Sequence, residues 1–249
     1  MWRKRIVEDG LPIILVLVLA AFTRTWLLEQ NGFGREYYAA GVRSMLAGWH
    51  NVFYNAFDPG GFVSIDKPPL GMWLQAAGGK LLGFSGIAVL LPQVAVGLVS
   101  IVLLYRLVDR PFGRPAALVA ALVLALTPVS IAVDRSNNTE SLLIAVLLVA
   151  TLLGIRAALS GGLGWLCGAM ATIGVGFNVK MAAALPLALV LALSFSLAHR
   201  KAPIGWHLLR QGSAALVLAA VSLVWLAAFD LTPAGSRPYA GSTRHNSML

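Results

Sequence analysis

An all-α, polytopic transmembrane bundle is the fold class this sequence predicts, and three observations carry that reading. Of 249 residues, 58% are hydrophobic and only 12% are charged, against roughly 45–50% and about 25% in soluble domains. The mean hydropathy is +0.79. Several stretches run about 18 residues or more almost without charge, long enough to cross a hydrocarbon core of about 30 Å. An ordinary water-soluble domain, a disordered tail and a coiled coil are excluded.

The elements follow in order. About seven spans can be read: Leu11–Leu28, Ile87–Val108, Pro115–Val133, Ser141–Leu159, Leu163–Val179, Met181–Ala198 and Ser213–Phe229. They are rich in Leu, Val and Ala, with the Gly and Pro that membrane helices tolerate. The first follows Arg3-Lys4-Arg5 and has no small-x-small cleavage site before Thr23-Arg24, so it reads as an uncleaved signal-anchor. The loops are short except the first, residues 29–86, and a structured loop of that length is usually functional. Within it Tyr37–Trp49 and Leu70–Leu82 have helical, amphipathic patterns suited to lying on the membrane surface, with Trp73 as an interfacial anchor. Residues 230–249 form a last outer segment.

Charge orients the chain. With the N-terminus in the cytoplasm, the inner side holds ten cations against three acids, and the outer side nine against seven. Basic residues retain inner loops, so this arrangement also explains the net charge of +9 without nucleic acid. The single cysteine, Cys167, excludes an intramolecular disulfide. No His or Cys cluster has metal-ligand spacing, and no GxxxxGK[ST], GxGxxG or GxSxG motif is present.

The remaining charges gather on the outer side, where ionisable groups at membrane depth are expensive. Phe57-Asp58-Pro59-Gly60-Gly61 is a turn signal, and turn formation accounts for Asp58 at least as well as chemistry does. In Ser64-Ile65-Asp66-Lys67-Pro68-Pro69-Leu70 the prolines impose an extended entry to the next helix. Asp66 and Lys67 are therefore adjacent opposite charges on a stiff segment, either a cap with a solvated lysine or a carboxylate beside a phosphate-binding ammonium. Asp134-Arg135-Ser136-Asn137-Asn138-Thr139-Glu140 is a polar loop in which Asn138 or Thr139 could cap a helix that Glu140 opens. Asp134 and Arg135 stand at the end of a span, and Asn138 is a further polar candidate. Lys180 lies in a nearly loopless hairpin, where it either snorkels or faces an anionic headgroup.

Taken together, Tyr37-Tyr38-Ala39-Ala40, Phe57-Asp58-Pro59-Gly60-Gly61-Phe62, Asp66-Lys67-Pro68-Pro69-Leu70-Gly71, Asp134-Arg135-x-Asn137-Asn138 and Asn178-Val179-Lys180-Met181 resemble the GT-C membrane glycosyltransferases. The resemblance is to the branch with the protein O-mannosyltransferases of family 39 and the ArnT-like lipid A aminoarabinose transferases. It spans roughly residues 30–245, and Arg237–Thr243 looks like the start of the next outer loop of the bacterial subgroup.

The resemblance implies a multi-pass enzyme of the cytoplasmic membrane. Such an enzyme passes a sugar from a polyprenyl-phosphate donor to a lipid, glycan or protein acceptor on the outer face. Lys67 matches the lysine that contacts the lipid phosphate, and Asp66 the preceding acid, linked to substrate or to a divalent metal. Lys180 and Arg135 would be secondary phosphate contacts. Relatives carry an acidic pair before the tyrosines, where this chain reads Gly34-Arg35-Glu36-Tyr37-Tyr38. The catalytic base is accordingly Glu36, Asp58 or Asp66. Relatives also continue through further spans, so the chain is expected to be an N-terminal part. A transporter or lipid flippase is the alternative, but it would place charges near the midplane of two related halves.

Overall fold

In the computed structural model, residues 2–240 and 246–248 are described, residues 2–9 as backbone alone. The described residues form helices and no strands, with two isolated bridges, Ala56–Ser64 and Val63–Tyr239. Ten α-helices follow in order: α1 Trp2–Thr25, α2 Glu36–Met45, α3 Trp49–Phe53, α4 Leu70–Leu82, α5 Gly86–Leu126, α6 Pro128–Asp134, α7 Glu140–Ser160, α8 Leu163–Lys180, α9 Leu185–Ala198 and α10 Ile204–Leu231.

Four stretches are long and apolar enough to cross a membrane: Gly86–Leu126, Glu140–Ser160, Leu163–Ala198 and Ile204–Leu231, with Gly10–Thr25 shorter. Two of the four are interrupted. Helix α5, 41 residues long, would span about 60 Å if straight, twice a bilayer core. At Gly113 the backbone takes φ 77°, a value that suits glycine, and the chain doubles back. Ile101 of the first leg thus packs with Ala121 and Ala125 of the second, together with Ala20 of α1. Between α8 and α9 the break falls at Met181, whose φ is 34°, followed by a 3-10 turn over Met181–Ala184.

Two stretches expected as single helices are divided, for physical reasons. Pro128 lacks an N–H and holds Thr127 extended (φ −62°, ψ 118°), so α6 separates from the second leg of α5. Over Tyr37–Trp49 the helix stops at Met45 and restarts as α3 beyond the fully extended Gly48. Leu70–Leu82, by contrast, is the helix its periodicity predicts. The tail motif from Gly241 to Thr243 lies outside the described residues.

The main core lies among α7, α8, α9 and α10, centred on Leu166, Met170, Ile173, Leu191 and Phe195. Close approach depends on small residues. A Cβ on Gly154 would meet Leu191, one on Gly174 would meet Val221, and one on Gly78 of α4 would meet the Ala88 carbonyl of α5. A second cluster (Val42, Met45, Ile65, Met72, Ala76 and Val89) mounts α2 and α4 on the start of α5. The long loop is therefore a packed layer over one end of the bundle.

Candidate functional site

The layer is built by asparagines that the sequence reading did not single out. Asn55 is fully buried with φ 54°, a conformation asparagine tolerates. Its carbonyl accepts from the Ile65 N–H at 2.8 Å and its Nδ2 donates to the Lys67 carbonyl at 2.8 Å. Asn51 Nδ2 donates to the Ser44 carbonyl, Ser44 Oγ and the Pro59 carbonyl. Ser44 Oγ in turn donates to the Asp58 carbonyl at 2.6 Å. These bonds hold segment 55–67 as a hairpin-like strap leading into α4.

Asp58 belongs to that strap. Its carboxylate accepts from the N–H groups of Phe62 and Val63, at 3.0 and 2.9 Å. Desolvation alone would raise its pKa, but the backbone donors of Val63, Phe62 and Gly60 outweigh it and hold the group below its ordinary value. The turn-forming alternative is the one the geometry displays.

Asp66 and Lys67 emerge at the strap's end. Lys67 Nζ lies 2.6 Å from Asp66 Oδ2, and the Asp66 side chain is 60% exposed against 28% for Lys67. The pair is thus reachable from outside rather than sealed in. The Asp66 hydrogen bond, opposed by desolvation, raises the Lys67 pKa, so the ammonium stays charged at neutral pH. The Asp66 N–H points at the Tyr37 hydroxyl, 3.4 Å away. Tyr37 stacks on Phe57 and meets Tyr38 edge-on, and burial is the main cause of its raised pKa. Glu36 opens α2 and is exposed. Among the described residues no ion pair or hydrogen bond joins its carboxylate to Asp66 or Lys67.

A second polar group lies next to the first turn of α4. Gly71 approaches Thr139 so closely that a Cβ would collide with it, which brings the start of α7 against the helix that Lys67 precedes. There Glu140 pairs with Lys180 of α8, each side chain about a third exposed. Between α4, α8 and α10 runs a crevice of about 220 Å³, lined by residues that include Pro69, Leu70, Trp73, Val175, Asn178 and Trp225. Asn178 Nδ2 spans to the carbonyls of Val221 and Ser222, stitching α8 to α10.

The other candidates are engaged in holding helices. Asp134 is buried, paired with Arg24 at 2.7 Å and bonded by the Ser141 hydroxyl at 2.6 Å. Arg24 also donates to the carbonyls of Ala125 and Leu124 at the end of α5. Arg135 is spent on the carbonyls of Thr23, Trp26 and Leu27. Asn137 is fully buried, gripping the Arg35 N–H and carbonyl while its own carbonyl accepts from Gln75. Asn138, beside it, is half-buried. Arg24 was readable in principle, since a lone cation closing an apolar run demands a partner. Among the described residues no three His, Cys, Asp or Glu side chains gather into a metal site. The carboxylate of Asp66 faces Lys67 instead, and the described residues do not by themselves fit a metal centre.

Comparison with known proteins identifies the family. The chain is 42% identical over 240 residues to "Putative mannosyltransferase YycA" of Bacillus subtilis (strain 168), covering 95% of this chain and 34% of that protein. It is 40% identical over 247 residues to "Putative mannosyltransferase YkcB" of the same organism, covering 99% of this chain and again 34% of the relative. The chain therefore spans about a third of the length of these curated relatives. No solved structure matches it. The family described as dolichyl-phosphate-mannose-protein mannosyltransferase matches residues 66–225, from Asp66 of the exposed pair to Trp225 of the crevice. This chain belongs to that family of membrane glycosyltransferases.

Proposed function

We propose that the chain forms the donor-phosphate end of a glycosyltransferase site on the outer face of the cytoplasmic membrane, acting on a polyprenyl-phosphate-linked sugar. The carrying observation is the placement of Lys67. Its ammonium is accessible and lies immediately ahead of the α4 N-terminus, and Pro69 and Leu70, the next residues but one and two along the chain, line an apolar crevice between α4, α8 and α10. A lipid phosphate needs that combination: a cation and helix-end N–H groups for the anion, and an apolar channel for the chain.

In the reaction the bond between the sugar's anomeric carbon and the phosphate oxygen breaks, and its electron pair stays on the phosphate. Lys67 stabilises the charge that develops there, with Lys180 as a second cation at the same end of the bundle. The donor phosphate competes with Asp66 for Lys67. Once displaced, the exposed Asp66 carboxylate is free to accept the proton of the acceptor hydroxyl as that oxygen bonds to the anomeric carbon and the polyprenyl phosphate leaves. Glu36, exposed at the start of α2, is the second carboxylate within the same layer. Asp58 keeps the strap folded rather than taking part.

The test is binding of polyprenyl phosphate to the purified chain, together with transfer of labelled mannose from polyprenyl-phosphate mannose in membranes. Lys67→Ala should weaken binding by about tenfold or more, the scale of one charge-assisted contact. Asp66→Asn should leave binding within about threefold while abolishing transfer. Unchanged binding in Lys67→Ala would refute the proposal.

A further inference from the structure

The opposite end of the bundle carries a site of its own. There α7 and the first leg of α5 leave a cavity of about 430 Å³, lined by residues that include Leu103, Arg106, Asp109 and Arg110 of α5 and Arg156 of α7. Arg106 and Arg110 are four residues apart and share one helix face, and Arg156 reaches the same space from the neighbouring helix. Among the described residues, no ion pair or hydrogen bond is made by the guanidinium of Arg106, Arg110 or Arg156. Arg156 has only a ring contact, with its guanidinium 5.0 Å from the centre of Trp165. Arg24, Lys67, Lys180 and Arg237, by contrast, each face a carboxylate.

Three exposed arginines lining one cavity with a single carboxylate repel one another unless an anion enters. Orienting a chain in the membrane requires basic loops. It does not require that two helices aim their arginines into a space the size of a ligand pocket. The setting is that of lipid headgroups. The adjoining turn, Arg110-Pro111-Phe112-Gly113-Arg114, exposes 74% of Phe112, and Trp165 stands at the same end, as interfacial aromatics do. The cavity walls are aliphatic (Leu103, Val149, Leu152, Leu153).

We propose that this cavity binds a phosphate-bearing anion at headgroup depth, the phosphodiester of an anionic phospholipid or a free phosphate presenting the same oxygens. Arg106 and Arg110 grip it from one side and Arg156 from the other, because the guanidinium fork matches phosphate geometry. Asp109 weakens the site by like-charge repulsion. The proposal is independent of the transferase reading, which concerns the other end of the bundle.

The experiment uses the full chain in neutral detergent micelles, with lipid binding read by native mass spectrometry. The probes are dioleoylphosphatidylglycerol, dioleoylphosphatidylcholine and inorganic phosphate. Phosphatidylglycerol should bind about tenfold or more tightly than phosphatidylcholine, and Arg106→Gln/Arg110→Gln should remove that preference. Arg106→Lys/Arg110→Lys should keep part of it. Asp109→Asn should tighten binding about two- to threefold, a readout that survives even if the glutamine variant fails to fold. Displacement of phosphatidylglycerol by millimolar inorganic phosphate would assign the site to the phosphate group itself. Resistance to displacement would assign it to the lipid headgroup. Equal binding of the two lipids, or Asp109→Asn without effect, would overturn the proposal.

Discussion

Replacing Arg24 by Met tests how the end of α1 is fixed to α5 and α6. Arg24 is fully buried, and its guanidinium is shared between Asp134 (2.7 Å), the Ala125 carbonyl (2.8 Å) and Ser130 Oγ (3.2 Å). The substitution strands the Asp134 carboxylate, which keeps only the Ser141 hydroxyl, and uncovers carbonyls at the end of α5 that have no partner in the helix. Breaking one side of a buried pair costs about 3–5 kcal/mol. At about 2–4 °C per kcal/mol for a chain of this size, the melting midpoint should fall by about 6–20 °C. Asp134→Asn should cost less, because the amide oxygen still accepts from Arg24 while the amide N–H can donate to the Ser141 hydroxyl oxygen. The assay is thermal unfolding in detergent by intrinsic fluorescence, run as a double-mutant cycle with Arg24→Met/Asp134→Asn. The two changes should be non-additive by more than about 0.5 kcal/mol. A shift below about 2 °C for Arg24→Met, or additivity within that margin, would refute the reasoning.

Three further outcomes are expected. Gly78→Ala should lower the midpoint by the equivalent of about 1–3 kcal/mol, because its Cβ would meet the Ala88 carbonyl and Pro92 ring; Gly212→Ala in α10, with open space around it, should be neutral or stabilising by about 0.5–1 kcal/mol. Asn137→Ala should cost about 1–3 kcal/mol by leaving the Arg35 N–H unpaired and its carbonyl with the Ala39 N–H alone, and proteolysis between residues 29 and 70 should accelerate. Since the Asp58 pKa is depressed in the folded strap, its contribution is complete above the ordinary value of 3.8 and is lost as pH falls below it. Acid titration of wild type and Asp58→Asn, followed by protection of the strap from hydrogen exchange, should converge at low pH, and parallel curves would count against the bonds to Phe62 and Val63.

The fold class was legible because apolar runs, prolines and charge asymmetry act locally. Leu70–Leu82 shows this best, a helix readable from periodicity alone. Tyr37–Trp49 was less legible, because the helix stops at Met45 and the chain runs extended at Gly48 before α3, a break that the apolar periodicity does not mark. For the site, the adjacency of Asp66 and Lys67 is a property of the chain and was readable as such. The partners of Asp134, Glu140 and Asn137 were not, since Arg24, Lys180 and Arg35 lie 110, 40 and 102 residues away. Ion pairs and hydrogen bonds at such separations are products of helix packing. The same distance hid the roles of Asn51 and Asn55, which resemble ordinary loop residues until their carbonyl partners are in place.

The bridge between the strap and Tyr239 bears on the order of assembly. Ser64 N–H donates to the Tyr239 carbonyl and Tyr239 N–H to the Phe62 carbonyl, while Trp225 of α10 donates to the Phe53 carbonyl. The strap carrying Asp66 and Lys67 is translated early but touches residues made more than 150 positions later. During synthesis it must wait outside the membrane, its carbonyls bonded to water, until α10 has been inserted. Contacts this distant in sequence close slowly, so the strap is among the last parts of the molecule to lock, and a ribosome-arrested chain ending before Trp225 should hold Lys67 in a mobile loop.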